Sequence, residues 1–553
     1  MRACTTLTFL STVALIPNLV IGQLTGPVGP TTTVSDKSAR KICNVLDYGA
    51  VADKKTDLGP ALADAHFDCV RTAGSGVVYI PEGDYAMETW VTLNGGEGWA
   101  LQLDGIIYRT GTSGGNMILV KRTNDFELFS STGKGAIQGN GYEFHADNGN
   151  LGGPRILRLT MVNNFSVHDI ALADAPSFHY SIDTCTNGEI YNMAIRGGDS
   201  GGLDAIDVWG ENIWIHDVMA TNKDECICVK NPSHNMLIEN IYCNWSGGSA
   251  FGSLAKGINI SDITYRNVYT YHSNQMMMIK SNGGNGTVSN VLLESFIGRS
   301  NAYSLDIDQY WSSMNPVEGD GVFLNNFTIT NWKGTCENGK QRGPVKVACA
   351  DGAPCTDIKI DDFEIWTETG DILNNYCQSA YGTGFCLKNK AADPSAYKGI
   401  TYPITVEPKN YAAPTMSEDL EDNFGFTIPI PIPTIPASFF PDTPPISPLA
   451  GSVADKIVKS YQPASLKSTT TTTFSPTTTP VITTSTTLIP TTTATIIDID
   501  SFTTTVLSTT AATPTESRRK QHRHHRHHDK KERHQKSHHL CNKKHSKESV
   551  EEK

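Results

Sequence analysis

The sequence predicts an all-β chain wound into a right-handed parallel β-helix, with a short helix capping its N-terminal end and a disordered C-terminal extension. A recurring strand unit carries most of this. The unit reads Asn164-Phe-Ser-Val-His-Asp-Ile170, Asn187-Gly-Glu-Ile-Tyr-Asn-Met193, Asn212-Ile-Trp-Ile-His-Asp-Val218, Asn235-Met-Leu-Ile-Glu-Asn-Ile241 and Gly257-Ile-Asn-Ile-Ser-Asp-Ile263. Its last apolar residues fall at 170, 193, 218, 241 and 263, in steps of 23, 25, 23 and 22. Looser copies follow at Asn290–Phe296, Asn325–Trp332 and Asp357–Phe363. Each unit alternates apolar and polar residues between Asn, Gly or Asp turn residues. One strand motif per 20–25 residues indicates a solenoid. A leucine-rich repeat needs regular leucines, and a propeller needs a longer, four-stranded period. Coils of a β-helix stack about 4.8 Å apart, so residues one coil apart in sequence become vertical neighbours. Asp57–Ala73 lacks the alternation and has a helical pattern, which suits a cap over the open N-terminal end of the apolar core.

The ends of the 553-residue chain differ from this body. Residues 1–22 combine a positive start, a short apolar run and a small residue, the pattern of a signal peptide. Residues 23–445 are the expected catalytic β-helix. Residues 446–516 form a Pro/Thr/Ser-rich linker suited to O-glycosylation, and 517–553 a basic His/Lys/Arg-rich disordered tail. The proline-rich run from Ile428 is expected to end the globular pattern. The net charge is −12, and the tail from Arg518 carries +8, which leaves −20 on the rest. So acidic a body argues against nucleic acid as a partner. An acidic substrate would need local cations. No second apolar stretch is long enough to span a membrane, and a secreted monomer is expected.

Secretion makes the cysteines disulfide candidates. Close spacing suggests loop staples at Cys349/Cys355 and Cys377/Cys386, and Cys43, Cys69, Cys226 and Cys243 are further candidates. The body holds 11 cysteines, an odd number, so a buried free thiol is expected. Sequons at Asn164, Asn244, Asn259, Asn285 and Asn326 are candidate N-glycosylation sites.

Acidic residues concentrate in two adjacent coils. Gly201-Gly-Leu-Asp204-Ala-Ile-Asp207 precedes Asn222-Lys-Asp224-Glu225-Cys-Ile-Cys228. Asp204 lies 20 residues before Asp224 and 21 before Glu225, and Asp183 lies 21 before Asp204. At coil spacing all three levels should share one face. Crowded carboxylates raise the pKa of one, so that it holds a proton beside an ionised neighbour. That pair is the machinery of glycoside cleavage. A solvated acidic face and a calcium site compete for the same cluster.

The chain resembles the pectin-degrading glycoside hydrolase family 28, which includes polygalacturonases and rhamnogalacturonases. Asn44-Val-Leu-Asp-Tyr-Gly-Ala50, Thr56-Asp57 and Gly76-Val-Val-Tyr-Ile-Pro-Glu-Gly-Asp-Tyr85 resemble its N-terminal signature. Leu203-Asp204-Ala-Ile-Asp207 matches the Asn-Thr-Asp block. Asn222-Lys-Asp224-Glu225-Cys226 matches the Asp-Asp block, and Met278-Ile279-Lys280 the Arg-Ile-Lys block. Two departures narrow the match. Ser246-Gly247-Gly248 replaces Gly-His-Gly, and Met278 replaces the arginine. In polygalacturonases those residues serve the leaving-group sugar, a galacturonate. With Glu225 for the second Asp, the pattern resembles the rhamnogalacturonase branch, which hydrolyses galacturonate-(1,2)-rhamnose links of rhamnogalacturonan I with inversion.

The resemblance implies no cofactor and no metal. It makes Asp224 the general acid and Asp204 or Glu225 the activator of water, with Asp207 and Asp183 completing the cluster. Lys280 is expected to contact substrate, with a galacturonate carboxylate as its candidate partner. His272 is a candidate substitute for the missing histidine, with a packing role competing. Tyr303, Tyr310 and Trp311 are candidates to stack on sugars. The competing functions are a polygalacturonase, a calcium-dependent pectate lyase and a non-catalytic wall-binding protein. The lyase would need an arginine near the carboxylates, and at coil spacing the nearest is Arg196.

Overall fold

The computed structural model describes residues 24–145, 152–337, 343–370, 374–389, 396, 399–403, 411–421 and 428–447. The expected signal peptide, the basic tail and the linker beyond residue 447 lie outside the described residues.

Turn chemistry builds the coils. Two left-handed residues, five apart, bracket each repeat: Asn164/Asp169, Asn187/Asn192, Asn212/Asp217, Asn235/Asn240, Asp262/Asn267, Asn290/Ser295, Asn326/Asn331 and Asp357/Asp362. Their φ values run from 45 to 61°. Asn and Asp enter this region more readily than other side-chain-bearing residues because their short polar chains hydrogen-bond locally. Here those chains also bond up the stack. Asn187 Nδ2 donates to Asn164 Oδ1 at 3.1 Å, Asn212 to Asn187 at 2.7 Å and Asn240 to Asp217 at 3.1 Å.

Between the turns the strands pair in parallel. Ile190, Ile215, Ile238, Tyr265, Leu293, Ile329 and Ile360 face one another in register. All are buried in one continuous core. The β-helix is therefore as expected, with two corrections. Each coil holds more than one strand segment, since long strands such as Tyr180–Arg196 bend through the turns. The fifth repeat is also displaced. Val268, not Ile263, pairs with Ile241, because the coil between them is longer, with a corner at 255–257 between the strands Gly248–Leu254 and Ile258–Tyr271.

The cap is the helix Leu58–His66, whose N-cap Asp57 accepts from the Gly59 N–H at 3.0 Å. Leu58, Leu62 and Ala65 close the core. At the other end, Asn374–Gln378 pairs antiparallel with Ile400–Pro403. The proline-rich run does not end the packed region. Ile430 O accepts from Gln138 Nε2 at 2.7 Å, and Phe439 and Phe440 lie on Tyr242 and Tyr269. An extended chain without internal hydrogen bonds can lie along an apolar face. Nearby, Asp419 accepts from the hydroxyls of Tyr242 at 2.6 Å and Tyr269 at 2.9 Å, and pairs with Arg299 at 2.7 Å.

Disulfides join Cys43–Cys69, Cys226–Cys243, Cys349–Cys355 and Cys377–Cys386. Cys185, Cys228 and Cys336 are free and buried. Among the sequons, Asn259 and Asn285 are exposed. Asn244 is a correction: it is fully buried and donates to Glu418 O at 2.6 Å. The amides of Asn164 and Asn326 are engaged in the turn ladders. Among the described residues no helix is long and apolar enough to cross a membrane.

Candidate active site

One column of residues faces away from the core across eight coils. Its members in register are Arg158, Ser181, Asp207, Cys228, Ala250, Met278, Asp306 and Lys346. The acidic cluster stands on this face. Ile206 pairs with Ile227, so Asp204 and Glu225, each two residues earlier, are vertical neighbours. The Ala205 N–H donates to Glu225 O at 2.9 Å and locks that register. One oxygen each from Asp204, Asp224 and Glu225 lies within 4.8 Å of the others.

The carboxyls differ in surroundings. Asp204, Asp207 and Glu225 are buried, whereas Asp224 is partly open. Asp224 accepts from the backbone N–H groups of Gly202 and Glu225. Burial holds Asp207 well above the usual carboxylate range, reinforced by the charge of Asp204 beside it. Burial also raises Asp204, with Lys230 pulling the other way. Lys230 Nζ lies 3.3 Å from Asp204 and 3.0 Å from Asp207. Lys280 pairs with Glu225. Two ammonium groups among these carboxylates repel a divalent cation, so the arrangement suits proton transfer better than calcium binding.

The two departures from the family pattern are built into the backbone and the packing. The Gly247 N–H donates to Asp224 O at 2.7 Å, and Ser246 Oγ to the same oxygen at 3.1 Å. A Cβ on Gly247 would lie 2.6 Å from the Asp224 carbonyl carbon, so no histidine fits there. Gln275 Nε2 covers Gly247 O at 2.6 Å. Met278 is 2% exposed, packed on Cys228 and Ala250 beneath Trp311. Where the arginine of the block would stand, the floor is apolar.

Other expected residues scatter. Asp183 does not stack on Asp204. It pairs with Trp209, five residues further on, and is held by Arg158, because the corner before Asp204 takes up extra residues. His272 belongs to a corner, its ring stacked at 4.6 Å on Trp245 and its carboxylate partner Glu337 at 3.9 Å. Tyr310 is 44% exposed, and its hydroxyl accepts from the Asp351 N–H at 3.0 Å and from Gln378 Nε2 at 3.2 Å. Tyr303 lies in the coil between Met278 and Lys346. Three cations escaped the sequence reading: Lys230, Arg155 and Arg158. The expectation of no arginine near the cluster is corrected, since Arg158 shares the column of Asp207 two coils away. Even alternation from Cys228 would have found Lys230.

A parallel β-helix with carboxylates and lysines on one face defines a polysaccharide-processing class, and the family follows. The model for glycosyl hydrolases family 28 matches residues 75–381, and the chain belongs to that family of glycoside hydrolases. It is 62% identical over 454 residues to rhamnogalacturonase A of Emericella nidulans, covering 82% of this chain and 88% of that one. It is 61% identical to rhamnogalacturonase B of Aspergillus niger, covering 82% and 80%. Among solved structures, the endo-xylogalacturonan hydrolase of Aspergillus tubingensis superposes with a TM-score of 0.54 at 23% identity, over 60% of this chain and 94% of that one. That last likeness is one of fold.

Proposed function

We propose that this chain is an extracellular endo-hydrolase of rhamnogalacturonan I that cuts galacturonate-(1,2)-rhamnose bonds with inversion. The observation that carries the substrate is Met278. Buried with Cys228 and Ala250 under Trp311, it puts an apolar surface where a galacturonate-specific relative places a guanidinium. A rhamnose has a methyl group where galacturonate has a carboxylate, and it leaves no buried anion unpaired there. The relatives named rhamnogalacturonase point the same way.

Asp224, the open carboxyl, protonates the leaving oxygen. Asp204 and Glu225 orient water. Neither is free to act as a nucleophile, since Asp204 is held by Lys230 and Glu225 by Lys280. A water bonded to both can approach the anomeric carbon where a tethered carboxylate cannot, which favours single displacement. Asp207, its carboxyl raised by burial, steadies Asp204. Secretion agrees with the four disulfides.

Product analysis tests this. Rhamnogalacturonan should yield oligomers with rhamnose at the new non-reducing end and galacturonate at the new reducing end, its viscosity falling ahead of reducing-sugar release. Polygalacturonan should be cut little. The reverse preference would sink the assignment, and unsaturated products would indicate a lyase.

A further inference from the structure

The cations around the carboxylates are nearly all paired. Lys230 serves Asp204 and Asp207, Lys280 serves Glu225 and Arg158 serves Asp183. Arg155 differs. Its guanidinium lies over the Phe178 ring, 4.9 Å from the centroid. Among the described residues it makes no ion pair and donates no hydrogen bond. It is half-buried, and a desolvated cation without an anion is costly unless a ligand supplies one.

Its place in the fold says which ligand. Leu157, Tyr180 and Ile206 pair in register. Arg155, Phe178 and Asp204 each lie two residues before one of them, so they share a column. Two coil steps separate Arg155 from Asp204, about 10 Å at the spacing of paired strands. Asp204 and Asp207 lie close enough to act on its charge. The apolar floor of Ala250 and Met278 lies on the opposite, C-terminal side of the carboxylates. With the leaving rhamnose on that side, the Arg155 side takes the sugar whose bond is cut, a galacturonate.

We infer that Arg155, held flat on Phe178, receives a galacturonate carboxylate on the non-leaving side of the cut. The inference rests on the rhamnogalacturonan reading. The aromatic face fixes the guanidinium plane, so its fork is pre-organised for a bidentate carboxylate. The cleft then alternates as the polymer does: cationic at Arg155, acidic at the cut, apolar at Met278.

The test compares Arg155→Met and Arg155→Lys with the wild type on rhamnogalacturonan oligosaccharides and on the same oligosaccharides with their carboxyl groups reduced to alcohols. Arg155→Met should lower kcat/KM about 10–100-fold on the native oligosaccharides, the worth of a charge-assisted pair. On the reduced ones the change should stay below about 3-fold, because the partner is already gone. Arg155→Lys should recover part of the loss. An equal loss on both substrates would make Arg155 structural and overturn the inference, as would no loss on either. Binding of oligogalacturonate to wild type and Arg155→Met, measured by calorimetry, judges the residue separately from the reaction. Weakened binding supports it and unchanged binding overturns it, whereas a wild type inert on rhamnogalacturonan would count against the proposed function.

Discussion

Asp224 and Asp207 are both aspartates in adjacent coils, yet their environments assign them opposite work. Asp207 is sealed against Asp204, and burial holds its carboxyl well above the usual carboxylate range, out of reach of a sugar. Asp224 is partly open and bound by backbone N–H groups on both oxygens. If Asp224 is the acid, Asp224→Asn should lower turnover about 10²–10⁴-fold. Substrate binding should persist, because the amide keeps the shape. Near-normal turnover, or a first product of retained anomeric configuration by NMR, would refute this division of roles. The meeting of Asp204 with Glu225 was legible in the sequence because 21 residues make one coil at that point and the backbone alone sets the contact. Arg155 and Arg158 were not, because they reach the site along long side chains from coils whose register with Asp204 and Asp207 only strand pairing reveals.

At the scale of the element, the repeats depend on residues that tolerate a left-handed turn and also fill the ladder. Asn240 does both. Its φ is 52°, its amide donates to Asp217 at 3.1 Å, and its oxygen accepts from Asn267 at 3.1 Å. Asn240→Gly removes the ladder bonds but keeps the turn. Asn240→Ala removes the bonds and adds the penalty of a Cβ in the left-handed region, about 1–2 kcal/mol. Alanine should therefore be the more destabilising in urea unfolding, by roughly that amount. Equal midpoints would show that the turn carries no such strain. The same chemistry explains which part of the fold the sequence revealed. Asn and Asp at five-residue spacing marked the turns, and apolar alternation marked the strands. The fifth repeat was misplaced because Gly257 and Asp262 both offer turn residues near the expected period. Only pairing across coils shows that Asp262 opens the unit. The docking of the proline-rich run on Tyr242 and Tyr269 left no periodic trace.

Across the whole molecule the buried titrating groups divide into two sets: burial lowers His145, and lowers His66 and His179 to about 4, which favours the fold as pH rises to 6.5, whereas a second set opposes this and alone acts above 6.5. Phe129, His168, Tyr191 and His216 stack face to face across four coils. Burial lowers the pKa of both histidines, but carboxylates more than offset it. Asp169 and Glu127 raise His168, and Asp217 and Glu189 raise His216. Tyr191 between them is neutral, and Trp214, packed on His216, carries no charge. Glu239 is His216's neighbour in the next coil, but it is bonded to Trp214 and Arg266. Asp174 adds to this, its carboxyl pushed up to about 7 by burial. A group whose folded pKa exceeds its unfolded value binds more protons when folded, so stability falls as pH rises between the two. For Asp174 that window runs from 3.8 to about 7. For the histidines it opens at 6.5 and extends upward. Below 6.5 the rise from His66, His145 and His179 opposes the fall from Asp174, so stability should be greatest near pH 6.5 and decline as pH rises beyond it. Thermal unfolding followed upward from the unperturbed histidine value, from about pH 6.5 to about pH 9, should give a falling Tm. His216→Gln, which cannot take up the proton, should lower Tm at the acidic end and flatten the decline above pH 6.5. A Tm that rose across neutrality, or a slope unchanged in His216→Gln, would show that these buried pairs do not govern the pH response.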